Sequence, residues 1–171
     1  MAIQFEDYSA KIMASLDDAC IAFLHEMAGE IEAQTKRNVP PGRTYYPQQK
    51  NAWTYKVDEA KGEATIGNPL ESSLWTEFGT GEFALNGDGR KGYWIYVRDS
   101  SSGSIRNYSY KGGKKYSLED AKKTVAMMRD RGLDAHYTKG QTPKRPLHKA
   151  FTTLKPTIER RAKQVIGGKM S

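Results

Sequence analysis

The sequence predicts an α+β fold, with a long N-terminal helix and a C-terminal helix packed on an antiparallel sheet and a short helix inserted. Two long stretches with apolar residues at steps of three and four flank a centre of short alternating segments, separated by Gly- and Ser-rich turns. Strand and helix do not alternate as they would in a doubly wound sheet. At 171 residues a single domain, 1–171, is the default, and the chain is long enough to bury a core.

From Ser9 to about Arg37, the residues Ile12, Leu16, Cys20, Phe23, Leu24, Met27 and Ile31 recur on one helical face. Asn38-Val39-Pro40-Pro41-Gly42 ends this helix, because proline cannot continue it and restrains the residue before it. Trp53, Tyr55 and Val57 alternate, as do Ala64 and Ile66 after the polar turn Glu59 to Glu63, which predicts a hairpin. Leu74 to Phe78 is a short apolar piece broken at Gly79-Thr80-Gly81 and followed by a polar Gly-rich loop to Gly92. Tyr93 to Val97 predicts a strand, Ser100 to Ser104 a turn and Ile105 to Tyr110 its partner. Ser117 stands where a helix N-cap belongs, Ala121, Val125 and Met128 share a face, and Gly132 suits the C-terminal cap. The last helix starts at Pro146 and carries Leu147, Phe151, Leu154, Ile158, Ala162, Val165 and Ile166; Pro156 predicts a kink or break near Thr153 to Lys155.

Hydrophobic residues make up 37% of the chain, and no run approaches the roughly 18 apolar residues of a membrane span. The N-terminus carries acids where a signal peptide has a basic and then an apolar region, so a product that stays in the cytoplasm, away from membranes, is expected. The single cysteine, Cys20, excludes an internal disulfide and a Cys-based zinc site. The net charge of +7 is unevenly spread. Residues 1–34 hold one base against seven acids, a net of −6, and residues 141–171 hold eight bases against one acid, a net of +7. An even basic coat would suggest nucleic acid through phosphate neutralisation, whereas ends of opposite sign equally suggest that the two terminal segments attract each other, within one chain or between copies.

Little points to catalysis. His25, His136 and His148 lack metal-ligand spacing, and Cys20 lies on an apolar stripe where a small buried hydrophobe is the ordinary reading. Gly79-Thr80-Gly81 and Lys111 to Lys115 lack the spacing of phosphate loops, and Asn86 to Gly89 lacks the acid that would complete a calcium loop at Val97. The adjacent carboxylates Asp17-Asp18 and Glu119-Asp120 face different directions on their helices. No nucleophile, base and orienter can be assembled, so no enzyme and no cofactor or metal are expected. The unusual feature is aromatic. Tyr45, Tyr46, Trp53, Tyr55, Trp75, Phe78, Tyr93, Trp94, Tyr96, Tyr108 and Tyr110 are interleaved with Arg and Lys, a mixture that suits protein interfaces, single-stranded bases or plain strand propensity.

At Glu77-Phe78-Gly79-Thr80-Gly81 the chain resembles the tail-component or neck-protein family of long-tailed bacteriophages and prophages, small proteins that join head to tail. The family order is a long helix, a Pro-containing turn, a hairpin and this motif. A Gly/Arg/Lys loop, a Trp-x-Tyr strand and a Thr-x-Gly-Gln-x-Pro block before the last helix then follow. Here these are Asp88-Gly89-Arg90-Lys91, Trp94-Ile95-Tyr96 and Thr138 to Leu147, the last with Gly140, Gln141, Pro143 and Pro146. Leu147 replaces the family's Phe, Pro40 to Thr44 departs from its turn, and residues 99–136 form an insertion with a helix at about 117–131.

The resemblance implies a structural virion protein of the head–tail junction, made in the bacterial host cytoplasm and built into a homo-oligomeric ring around the DNA channel. Its implied partners are other connector and tail proteins, with DNA a further contact. A basic single-stranded nucleic-acid-binding protein using an aromatic sheet is the alternative. The loop from Gly79 to Gly92 is read as an inter-subunit contact and not a ligand cradle. Phe78 is expected to be buried at its base and Phe83, Ala84 and Leu85 to seat in a partner. Glu82, Asn86, Asp88, Arg90 and Lys91 are expected to be too polar to pack on their own domain.

Overall fold

The computed structural model describes residues 9–41, 46–99, 105–107 and 115–167. In chain order the elements are α1 (Ser9–Asn38), α2 (Tyr46–Ala52), β1 (Thr54–Asp58), β2 (Glu63–Gly67), α3 (Glu71–Phe78), a 3₁₀ turn (Gly81–Phe83), β3 (Trp94–Arg98), β4 (Ile105–Asn107), α4 (Leu118–Asp130), β5 (Asp134–Thr138) and α5 (Pro146–Gly167). The fold is α+β, with two compact units: residues 1–73 and 145–171 contribute to unit 1, residues 74–144 to unit 2. The predicted sheet is divided, a β1–β2 hairpin in unit 1 and a three-stranded antiparallel sheet of order β4–β3–β5 in unit 2. No helix among the described residues is long and apolar enough to cross a membrane.

In unit 1, α1 packs along α5 and onto the hairpin. The hairpin register pairs Tyr55 with Ile66 and Val57 with Ala64, so the four half-buried side chains share one face. Among the described residues, Met27 and Ile31 of the α1 stripe are buried, with Ala28 beside them. The helix ends as its prolines require: the Val39 amide still donates to the Thr35 carbonyl at 3.1 Å, and the next residue has no N–H to give. Val39 and Trp53 then form a core with Ile66 and Leu147. The opposite charges of the two terminal segments meet within one chain, where the Arg161 guanidinium donates to both carboxylate oxygens of Glu26 at 2.6 and 2.8 Å.

Two elements of unit 1 depart from expectation. The seven residues of α2 are too few to show a periodicity, and Gln, Lys and Asn mark no strong preference. Of the kink or break expected in the last helix, there is no break: α5 runs through Pro156 as one helix of 22 residues. Proline deletes one donor, but Thr152, whose carbonyl loses it, and Pro156 are both exposed, so water can replace the bond.

In unit 2, β3 is the central strand, pairing Trp94 with Thr138 and Tyr96 with His136 across to β5. Ile95 and Ala135, both fully buried, meet Val125 and Met128 of α4, and Val97 and Tyr116 flank them. The α4 caps are those predicted: Ser117 Oγ accepts the Asp120 amide at 3.1 Å, and Gly132, at φ +80°, lets the Leu133 amide return to the Met128 carbonyl. The insertion at 99–136 supplies β4, α4 and the start of β5. No strand was expected at 134–138, because Asp-Ala-His-Tyr-Thr presents one small buried residue to the core. The predicted strand from Ile105 is formed at 105–107; residues 100–104 and 108–114 lie outside the described set.

These contacts set a hierarchy of stability. Ile95→Ala should cost about 2–5 kcal/mol, the range for a fully buried aliphatic side chain. Arg161→Ala should cost under about 1 kcal/mol, because both partners of its ion pair are 41% exposed. Urea unfolding of the two variants checks the order.

Candidate functional site

The two motif blocks are more than 50 residues apart in sequence and form one corner of unit 2. The Thr80 amide donates to the Gln141 carbonyl at 2.9 Å, and the Gln141 amide donates back to Thr80 Oγ1 at 2.9 Å. The Glu82 amide donates to the Lys139 carbonyl at 3.0 Å, and the Lys144 amide to the Thr76 carbonyl at 2.7 Å. The motif has a physical basis in how close these chains come. A Cβ on Gly79 (φ +75°) would stand 2.8 Å from the Gln141 carbonyl, the Phe83 carbonyl and Pro143 Cδ. On Gly81 (φ +61°) it would stand 2.6 Å from Trp94 Cη2 and overlap the Lys139 carbonyl. Both the positive φ and the crossing of two backbones demand glycine. The crossing strand answers in kind, since a Cβ on Gly140 would overlap the Thr80 carbonyl.

The loop after the corner is held by its own unit, against expectation. The Phe83, Ala84 and Leu85 amides donate to the carbonyls of Thr80, Gly81 and Phe78 at 3.0–3.2 Å. Glu82 accepts the Gly92 amide at 3.1 Å and lies 3.5 Å from the Lys139 ammonium, which sits 5.2 Å from the centre of the Phe83 ring. The Arg90 guanidinium lies 5.3 Å from the centre of the Trp94 ring. Polar side chains thus pack on their own domain by pairing with main-chain groups and rings, an outcome that counting apolar residues misses. Lys91, Asn86 and Asp88 are exposed as expected.

Phe78 corrects the reading of the motif. It was expected to be buried, yet it is 44% exposed, with Trp75 at 49%, Leu74 at 55% and Leu85 at 49%. The residues of α3 that are buried are Ser73, Thr76 and Glu77. At about 100° per residue, Leu74, Trp75 and Phe78 fall on one side of the helix and Ser73, Thr76 and Glu77 on the other. The bond from the Leu85 amide to the Phe78 carbonyl brings the Leu85 backbone to the end of this helix, where its side chain is exposed too. The result is an exposed apolar face on a short helix whose polar side is turned inward. Sequence reasoning missed it by taking apolar as inside, although the wheel of residues 71–78 already separates the two classes.

The remaining singled-out residues lie elsewhere. Pro146 is fully buried and Leu147 belongs to the unit 1 core. Tyr96 stacks on His136 at 5.3 Å between ring centres, and Tyr93 meets Tyr137 edge-on at 5.8 Å. His136 also lies 2.7 Å from Asp134, while His25 sits at the edge of the Tyr55 ring. Among the described residues no three His, Cys, Asp or Glu side chains gather as metal ligands. Comparison of the chain with protein-family models, with curated proteins and with solved structures gave no match.

The corner has a direct test. Gly81→Ala combines the strain of a positive φ, about 1–3 kcal/mol, with a main-chain overlap, and should remove hydrogen-exchange protection from the Thr80 and Glu82 amides. Gly87 has φ +74° but nothing within 4 Å of an added Cβ. Gly87→Ala should therefore cost only about 1–2 kcal/mol and leave those amides protected.

Proposed function

We propose that this chain is a structural virion protein of a phage head–tail junction, a subunit of a ring that surrounds the DNA channel and docks on connector and tail proteins. The observation that carries the reading is the apolar face of Leu74, Trp75, Phe78 and Leu85, set on a corner whose backbone is cross-bonded on both sides. Aromatic and aliphatic side chains exposed together on a rigid support are what a protein interface uses as its centre, and rigidity keeps the ordering cost of docking small. The polar loop from Asn86 to Lys91 gives that centre the hydrated rim that interfaces have. The same Glu77 to Gly81 motif carries the family resemblance.

The alternative, a single-strand reader using an aromatic sheet, is less favoured because sheet aromatics already have partners within unit 2: Arg90 on Trp94, His136 on Tyr96 and Tyr137 on Tyr93.

Trp75→Asp and Phe78→Asp should leave folding intact, with a stability change under about 1 kcal/mol, as for most exposed sites. In the phage or prophage that encodes the chain, each should yield filled heads and complete tails that fail to join, counted by electron microscopy. Mass spectrometry of purified wild-type virions should find the chain at a fixed, ring-like copy number. Virions that lack the chain, or normal joining by both variants, would overturn the reading.

A further inference from the structure

The charge of the C-terminal segment is not consumed by the contact that the sequence pointed to. Of the cations on α5, Arg161 turns to Glu26 of α1, and Lys155 lies 3.9 Å from Glu159 one turn on. Among the described residues, Lys149, Arg160 and Lys163 have no ion-pair partner, and all three are exposed.

Their places on the helix are ordered. At about 100° per residue, Lys149, Pro156, Arg160 and Lys163 fall within about 60° of arc. Leu147, Ala150, Leu154, Ile158, Arg161 and Val165, which are buried or half-buried, occupy the opposite side. The helix continues through Pro156, so the stripe is not interrupted there. Pro156, Glu159, Arg160, Lys163 and Gln164 line a shallow depression there. From Lys149 to Lys163 the stripe runs about 21 Å at 1.5 Å per residue, the axial length of about six base pairs of duplex.

We infer that the outward face of α5 is a binding surface for the phosphate backbone of double-stranded DNA, with Lys149, Arg160 and Lys163 as its phosphate contacts. The chemistry of the stripe selects this occupant. Between the cations stand Thr152, Thr153 and Pro156, the one carboxylate on the flank, Glu159, lies 3.9 Å from Lys155, and no aromatic ring is on the stripe to stack an unpaired base. No apolar band is there to enter a lipid surface or to form the dry centre of a protein interface. A row of cations without carboxylate partners and without an apolar centre is complementary to a polyanion that offers phosphates at regular intervals. The inference rests on α5 alone and holds whether or not the chain builds a ring.

The test is fluorescence anisotropy of the full chain with a labelled 20-base-pair duplex and with a single strand of the same sequence, at 50 and 200 mM KCl. Three phosphate contacts give a slope of about −2.7 in log affinity against log salt, so duplex affinity should fall about 40-fold between the two salts. The triple variant Lys149→Gln, Arg160→Gln, Lys163→Gln should bind duplex at least tenfold more weakly at 50 mM and lose most of that slope. The single variant Arg160→Gln should lower the slope by about one and serves if the triple variant folds poorly. A second triple variant, Lys56→Gln, Lys122→Gln, Lys123→Gln, removes the same charge from exposed positions elsewhere and should stay within about twofold of the wild type. Equal losses in both triple variants would assign binding to net charge and overturn the inference. So would tighter binding of the single strand, or duplex affinity insensitive to salt. Because joining of heads and tails is scored separately, a failed DNA result leaves the reading of the α3 face standing, and the reverse also holds.

Discussion

The close crossing of two backbones at Gly79, Gly81 and Gly140 is the constraint on which the arrangement of unit 2 depends. Where main chains come this near, no side chain can stand between them, and the amides and carbonyls satisfy one another directly, as with Thr80 and Gln141. The crossing fixes the C-terminal end of α3 and the Lys139 to Pro143 segment to one another. It thereby fixes which side of α3 is covered. Ser73, Thr76 and Glu77 are the buried residues of α3, and the corner bonds the Thr76 and Phe78 carbonyls to Lys144 and Leu85.

Much of the fold is legible in the sequence because strong local signals coincide there with the tertiary answer. The periodicity of residues 9–37, the two prolines after Val39, the alternation of Tyr55, Val57, Ala64 and Ile66, and the Ser117 and Gly132 caps each rest on a short-range rule, and none meets a competing demand. The elements that escaped are those whose character comes from neighbours. β5 is a strand because β3 presents it with a row of partners and α4 covers Ala135, and nothing in Asp-Ala-His-Tyr-Thr announces this. α2 is a short helix whose Gln49 is enclosed by a fold that Gln49 does not itself specify.

The candidate site was half legible for the same reason. The glycines reported a sharp corner, because positive φ and close approach are properties of the residue itself. What the corner touches was not recoverable: no rule of spacing connects Thr80 to Gln141, or the Glu82 carboxylate to the Gly92 amide. Phe78 was misplaced because hydrophobicity predicts burial only on average, and the exceptions are surfaces that meet something else. Arg161 shows the converse, where the charge asymmetry of two distant segments anticipated a contact across 135 positions of sequence that no local rule could give.

Unit 2 is a continuous stretch of sequence, residues 74–144, and unit 1 is drawn from the residues before and after it. On a ribosome this imposes a schedule. Every hydrogen bond of the glycine corner lies inside 74–144 and can close once that stretch has emerged. The packing of α1 along α5 must instead wait for α5, which is made after unit 2. During that interval a nascent chain holds a finished unit 2 and a partly covered helix upstream of it, the situation in which exposed apolar surface recruits chaperones or wrong partners. The acids that crowd residues 1–34 then act as a solubilising charge on that waiting segment before Arg161 arrives to meet Glu26.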